Sequence, residues 1–225
     1  MHIPDGFIGA GASIGAGVVS AGGVAVALRQ AARTLSERLA PLAGLVAAFV
    51  FAVQMLNFPV AAGTSGHLIG GVLAAVLVGP WAAVLCLTVV LGVQALFADG
   101  GLTALGLNVL NMGLLTALPG YGLFFVLRSA LGNGRTAVVA AAGVAATLSV
   151  VIAAAAFVAE YAIGGAGEVD IATVLKAMVA VHTLIGIGEG VITALTVGAV
   201  LSVRPDLVYG APAAARPALE IRTAT

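Results

Sequence analysis

Long apolar segments separated by short polar turns dominate this 225-residue chain. Hydrophobic residues make up 61% of it and charged residues only 8%, whereas about a quarter of the residues in a soluble domain are charged. The hydrocarbon core of a bilayer is about 30 Å thick and takes roughly 20 apolar residues per helix. The sequence therefore predicts an all-α, polytopic protein of the cell membrane.

Seven segments are apolar enough to be membrane helices. The stretch Gly79-Pro80-Trp81 predicts a tight reversal between the third and fourth segments, because proline favours the first position of a new helix. If these two segments instead formed one long broken helix, the count would be six. The seven segments run over residues 8–28, 40–56, 67–79, 81–98, 106–128, 136–159 and 174–203.

The basic residues favour seven spans, with the N-terminus outside and the C-terminus in the cytoplasm. Short cytoplasmic loops collect Lys and Arg, and in this topology only Lys176 lies outside. We predict one integral-membrane domain over residues 1–204 and a poorly ordered cytoplasmic tail over residues 205–225. The basic residues on the cytoplasmic side are Arg29, Arg33, Arg38, Arg128, Arg135, Arg204, Arg216 and Arg222.

A chain that begins with Met1 and His2 can chelate a metal ion with its own terminus. The α-amino group, the deprotonated amide nitrogen of His2 and the imidazole Nδ1 close fused five- and six-membered rings around one cation. Nitrogens in a plane suit Ni²⁺ and Cu²⁺. No signal-peptide pattern precedes the first span, and a bulky second residue disfavours removal of methionine. We therefore expect Met1 to be the mature terminus.

His67 is the candidate for a fourth nitrogen ligand. It follows a turn-rich stretch in which Thr64 and Ser65 are good N-cap residues for the third apolar segment. The predicted topology places His67 on the same outer side as His2, where it would complete a square of four nitrogens. Taken alone, His67 is better explained as an interfacial histidine beside a helix cap, and its position on the same side as His2 reverses that preference.

Other polar residues are candidates for supporting such a site. His182 and Glu189 are seven residues apart and share one face of the last segment. His182 either orients a ligand or hydrogen-bonds within the bundle, and we expect Glu189 to tie helices together. Asp99 lies in an outer turn, where it either attracts cations or only shapes the turn. The candidates for orienting the metal ligands without contacting the metal themselves are His182, Thr64, Ser65 and Asp99.

Two further patterns predict close helix packing. Asn108 and Asn111 are three residues apart, so we expect their amides on one helix face, bonding across helices. Gly11 and Gly15 have the GxxxG spacing that lets two helix backbones approach closely. That spacing serves packing inside the bundle or docking of a partner membrane protein.

Four motifs in this order resemble the CbiM/NikM family, the substrate-binding S components of energy-coupling factor (ECF) importers for cobalt and nickel. The set is specific, although each motif alone is weak. The motifs are residues 1–7 (MHIPDGF), 57–60 (NFPV) with 63–68 (GTSGHL), 97–103 (FADGGLT) with Gly106, Asn108 and 111–113 (NMG), and His182 with 188–194 (GEGVITA).

The resemblance implies that the Met1 amino nitrogen, the His2 amide and imidazole nitrogens and the His67 imidazole hold the metal. Ni²⁺ or Co²⁺ is then the transported substrate, with no catalytic cofactor and no enzymatic activity in this chain. The implied partners are a transmembrane T component, two cytoplasmic ATPases and, in many members, a small accessory membrane subunit. Planar nitrogen ligands favour nickel, but the ligands do not decide between nickel and cobalt.

The residues alone leave two alternatives open. A membrane enzyme with an N-terminal copper chelate would need an open metal position. A self-sufficient secondary transporter would need internal repeats and a proton-coupling residue near mid-membrane, for which Glu189 is the candidate. The sequence lacks a GxxxxGK[ST] phosphate loop, so we expect ATP hydrolysis on separate subunits. A formal net charge of zero provides no basic field for nucleic acid.

Overall fold

The computed structural model describes residues 1–34, 39–59, 65–97 and 99–215. Each of the seven predicted segments overlaps a helix, and a two-residue hairpin of β1 (Phe58–Pro59) and β2 (Ser65–Gly66) lies between the second helix and the third. The helices are α1 (Ala10–Thr34), α2 (Ala40–Gln54), α3 (Gly71–Val78), α4 (Pro80–Leu96), α5 (Leu105–Asn108), a π-helical turn (Val109–Leu114), α6 (Leu115–Leu131), α7 (Arg135–Gly164) and α8 (Ile171–Val203).

Four of these helices are long and apolar enough to cross a membrane, counted over the described residues. They are α1, the continuous helix Leu105–Leu131 formed by α5, the π-helical turn and α6, and the pair α7 and α8. Helices α2 and α4 are apolar but shorter, with 15 and 17 residues. The all-helical architecture of a multi-pass membrane protein is therefore confirmed.

The third segment is only partly helical. Helix α3 has eight residues, all of them buried, and rises only about 12 Å. The prediction of a helix from residue 67 was wrong, because residues 67–70 precede the helix as a non-helical segment and Gly70 is the N-cap, with φ +81°. At the other end of α3, Gly79 adopts φ +92° and Pro80 begins α4. The chain thus reverses where the sequence predicted, and α3 packs against α4 instead of continuing into it.

The first part of the tail is ordered against the buried helix. Residues 205–215 contain two short 3₁₀ helices, Pro205–Leu207 and Ala213–Ala215. The N–H groups of Tyr209 and Gly210 donate to the carbonyls of Leu77 and Val76, at 3.2 and 2.9 Å. This segment supplies donors to the last turn of α3, whose carbonyls have no partner within the helix. Residues 205–215 of the predicted tail therefore pack against α3, and residues 216–225 lie outside the described chain.

Helices α7 and α8 form a closely packed pair. Glycines make this possible, because a Cβ atom on Gly190 would meet the Thr147 side chain and the Gly143 carbonyl, and one on Gly186 would lie 2.8 Å from the Thr147 carbonyl. Small residues at such contacts let membrane helices pack backbone to backbone. Helices α7 and α8 therefore form one closely packed unit of the bundle.

Several loops and helix ends meet at one end of the bundle. The N–H of Gly9 donates to the carbonyl of Gly164 at 2.6 Å, which joins the start of α1 to the end of α7. The Asn57 amide donates to the Asp99 carboxylate at 3.3 Å, which joins the loop after α2 to the loop after α4. The N-terminal segment lies among these loops and is buried by them.

Candidate metal centre

The N-terminal segment is fixed through the main chain of Ile3. Asn108 accepts the Ile3 N–H at 2.8 Å with Oδ1 and donates to the Ile3 carbonyl at 3.2 Å with Nδ2. The N–H of Gly101 donates to the same carbonyl at 2.9 Å. Asn108 thus pairs with Ile3 much as a neighbouring strand would, and both residues are almost fully buried.

Two further contacts fix the residues after Ile3. The Asp5 carboxylate accepts hydrogen bonds from both the N–H and the hydroxyl of Thr103, and these bonds lower the pKa of Asp5. The Phe7 ring packs against Phe157 and Tyr161, with ring centroids 5.8 and 5.4 Å away. The segment is therefore held on both sides, by the loop after α4 and by α7.

His2 lies between two polar groups from α4 and the loop that follows it. Its Nε2 is 3.0 Å from the amide oxygen of Gln94, so Nε2 carries the proton and donates. Its Nδ1 is 3.2 Å from a carboxylate oxygen of Asp99. With the proton on Nε2, the two facing atoms both carry lone pairs, so a metal ion bound to Nδ1 would relieve an unfavourable contact.

The ring of His67 lies against the ring of His2. The two centroids are 4.3 Å apart, and both residues are buried. The Nδ1–H of His67 donates to the carbonyl of Leu68 at 2.7 Å, which leaves the lone pair on Nε2. That atom is buried and has no hydrogen-bond partner among the described residues. An unpartnered, buried imidazole nitrogen is costly unless a ligand binds it.

The Met1 amino group lies in the same place. Complete burial lowers its pKa well below the ordinary value, while the nearby Asp99 carboxylate opposes part of that change. The same amino group interacts electrostatically with His67 and with His182. The contact with His2 lowers the pKa of Asp99. The site therefore combines an amine that favours its neutral, metal-binding form with a carboxylate that remains charged.

The segment after His67 is held by side chains from two helices. Glu189 of α8 accepts the N–H of Ile69 at 2.6 Å and that of Gly70 at 2.9 Å. Gln54 of α2 donates to the Ile69 carbonyl at 2.7 Å. Glu189, which we expected to tie helices together, joins α8 to the main chain next to His67.

The remaining candidate residues make no hydrogen bond to His2 or His67 among the described residues, although His182 interacts electrostatically with the Met1 amino group and with His67. His182 is fully buried, but its Nδ1–H donates to Met178 of its own helix at 2.8 Å, and its Nε2 has no hydrogen-bond partner in the described part of the chain. Gly11 and Gly15 lie on the exposed face of α1, where an added Cβ atom would meet nothing within 4 Å. Thr64 and the side chain of Ser65 lie outside the described residues.

The two asparagines contact different parts of the molecule. Asn111 donates to Glu160 of α7 at 2.7 Å, which joins two helices as expected. Asn108 instead contacts Ile3 of the N-terminal segment, so the predicted bonding across helices holds for Asn111 and not for Asn108. A π-helical turn begins at Val109, between the two asparagines, and an i→i+5 turn winds fewer degrees per residue than an α-helix.

Sequence reasoning missed Gln94 and Gln54. Each is a buried polar residue near the end of an otherwise apolar helix, which is the signal that would have pointed to them. Within the described residues no group of three or more His, Cys, Asp or Glu side chains is arranged to hold a metal ion.

Comparison with known proteins identifies metal transporters. A family model described as CbiM, cobalt uptake substrate-specific transmembrane region, matches residues 2–207. The cobalt transport protein CbiM of Sorangium cellulosum is 35% identical over 216 residues, which cover 92% of this chain and 94% of that protein. The fused nickel transport protein NikMN of Rhodobacter capsulatus is 33% identical over 240 residues, which cover 99% of this chain and 68% of that protein.

A solved structure has the same fold. The crystal structure of a truncated transition metal transporter superposes with a TM-score of 0.83 at 31% sequence identity. The match covers 90% of this chain and 99% of the other.

Proposed function

We propose that this chain, which belongs to the CbiM family, captures Ni²⁺ or Co²⁺ at the outer face of the membrane with its N-terminus and His67. The observation that carries the proposal is the pair of buried imidazoles 4.3 Å apart, next to a buried terminal amino group. Membership of the family makes the chain a membrane component of metal transport. The ligand set, the partners and the orientation are the proposal.

Four nitrogens make up the proposed ligand set. They are the Met1 amine, the His2 amide nitrogen after loss of its proton, His2 Nδ1 and His67 Nε2. The contacts of the two rings support this choice, because Gln94 and the Leu68 carbonyl occupy the other ring nitrogens. Hydrogen bonds of this kind fix the tautomer and the orientation of a metal-bound imidazole. A planar set of nitrogens suits Ni²⁺, and Co²⁺ is the alternative.

Asp99 supplies the compensating charge. A divalent ion that binds two neutral imidazoles, a neutral amine and one deprotonated amide keeps a net charge of +1. The Asp99 carboxylate, 3.2 Å from His2 Nδ1, offsets this charge inside a buried site. Each ligand must lose or lack a proton, so capture becomes weaker in acid.

Transport requires partners that hydrolyse ATP. The proposal includes a transmembrane T component and two cytoplasmic ATPases, and it places the N-terminus outside, residues 1–204 in the membrane domain and the C-terminal tail in the cytoplasm. The open face of α1 with Gly11 and Gly15 is the proposed docking surface for the T component. Gly15→Leu should weaken that association and leave nickel binding intact, and unchanged association would remove this face from the account.

Calorimetric titration with Ni²⁺ and Co²⁺ tests the ligand set. His67→Ala should lose most of the binding, while His182→Ala should retain it, since both replace a buried imidazole but only the first removes a proposed ligand. Equal losses in the two variants would contradict the four-nitrogen set.

Uptake into proteoliposomes tests the partners. Metal should enter only when the T component, the ATPases and ATP are present. Uptake by the isolated chain would favour the self-sufficient secondary transporter.

A further inference from the structure

The main chain after His67 runs through the bundle interior without helical hydrogen bonds. Ile69 and Gly70 are fully buried, so their polar groups need protein partners. Glu189 accepts both N–H groups, one with each carboxylate oxygen, and Gln54 donates to the Ile69 carbonyl. The position of this peptide is therefore set by side chains about 15 and 120 residues away in the chain.

Glu189 can define that position because its own helix is fixed. It is buried, with 2% of its surface exposed, and its neighbour Gly190 packs directly on Gly143 of α7. Val50 of α2 supports the opposite side, because a Cβ atom on Gly70 would lie 2.9 Å from its side chain. The peptide is thus held between Glu189 on α8 and the side chains of α2.

We infer that Glu189 is the positioning residue that keeps the His67 imidazole within reach of the terminal amine and the His2 ring. The inference rests on the proposed function, since it assumes that His67 is a ligand. Ile69 is only two residues from His67, so a displacement of its peptide moves the imidazole directly. Loss of the Glu189 contacts then leaves the chelate of Met1 and His2 intact and removes the fourth nitrogen.

Glu189→Gln is the sharpest substitution. The amide has nearly the same size and shape as the carboxylate but only one acceptor oxygen. Its NH₂ group would face one of the two main-chain N–H groups, and the two donors would repel each other. The peptide must then move, although the volume of the side chain is unchanged.

The test measures the number of nitrogens around bound Cu²⁺ by electron paramagnetic resonance, together with nickel affinity by calorimetry. The native protein should show four equatorial nitrogens. Glu189→Gln should show three nitrogens and one solvent oxygen, and nickel affinity should fall about 10- to 100-fold. Four nitrogens with native affinity in Glu189→Gln would overturn the inference.

Glu160→Gln is the matched control. It makes the same chemical change to a second carboxylate, which is partly buried and bonds Asn111 instead of the peptide next to His67. It should keep four nitrogens and native affinity, whereas a loss equal to that of Glu189→Gln would overturn the inference by showing a general effect of removing a carboxylate.

His67→Ala distinguishes a failure of the inference about Glu189 from a failure of the proposed function. If it loses the fourth nitrogen while Glu189→Gln keeps it, the inference fails and the proposed function survives. If His67→Ala keeps four nitrogens, both fail.

Should Glu189→Gln not be isolated as a monodisperse protein, Glu189→Asp replaces it, because the shorter side chain keeps both oxygens but cannot reach both N–H groups. It should give a mixture of four- and three-nitrogen spectra, and a wholly native spectrum would overturn the inference.

Discussion

We expect metal binding to weaken when the contact between Asn108 and Ile3 is broken. Asn108→Ala removes the acceptor of the Ile3 N–H and one of the two donors to the Ile3 carbonyl. The carbonyl keeps its hydrogen bond from Gly101, but the N–H is left without a partner in a fully buried residue. The N-terminal segment must then either tolerate an unpaired donor or leave its place.

The size of the effect follows from the unpaired donor. A buried N–H without an acceptor costs about 1–3 kcal/mol, and each 1.4 kcal/mol corresponds to a factor of about ten in affinity. Only the docked segment can present the amine and His2 to the metal, so the cost appears in metal binding. We expect nickel affinity to fall by about 5- to 150-fold.

Calorimetric titration of the purified variant measures this loss, with the thermal transition of the metal-free protein as a check on folding. Asn111→Ala is the control, because it removes the same amide three residues away but breaks a contact with Glu160 instead. A folded Asn108→Ala protein with native affinity would refute the reasoning. An equal loss in Asn111→Ala would refute it as well.

Three further predictions concern the same end of the bundle. Gly100→Ala should weaken nickel binding in a titration, because Gly100 has φ +100° and an added Cβ atom would lie 3.1 Å from the His2 ring. Gly132→Ala is the control, since Gly132 has φ +110° but open space around it, and it should lower only the temperature of the thermal transition. Equal nickel affinities in the two variants would contradict a contact between residue 100 and His2. Asp99→Asn should weaken binding roughly tenfold because the compensating charge is lost, and native affinity would reduce Asp99 to a turn former. Because burial lowers the pKa of the Met1 amine, the neutral amine persists to lower pH in the protein than in solution. A pH titration of nickel binding should therefore give a lower midpoint than for the free peptide Met-His-Ile, and a higher midpoint would contradict the buried amine.

The helices were largely predictable from hydropathy because membrane burial requires long apolar runs. The reversal at Gly79 was predictable because glycine readily adopts the φ of +92° found there and proline favours the first position of the next helix. The start of α3 was not, because residues 67–70 are held outside the helix by Glu189 and Gln54, which are distant in sequence. The packing of residues 205–215 likewise depends on hydrogen bonds to carbonyls at the end of α3, which is more than 120 residues away in the sequence.

The proximity of His2 and His67 was predictable from topology, since both loops were expected on one side of the membrane. The residues that hold them were harder to find. The sequence predicted that Asn108 packs against another helix. The pattern of apolar residues reveals neither the π-helical turn that follows Asn108 nor its contact with Ile3. Gln94 is a single amide in an apolar helix, and only its distance to His2 reveals what it contacts.

The central claim is that the terminal amino group itself binds the metal. Nickel titration of the chain with its Met1 terminus, against a chain extended by one N-terminal alanine, tests it most directly. The extension turns the Met1 amine into an amide and adds a residue where Met1 is only 1% exposed. The account predicts a loss of affinity of at least about 100-fold, and an extended chain that binds nickel as tightly as the original would contradict it.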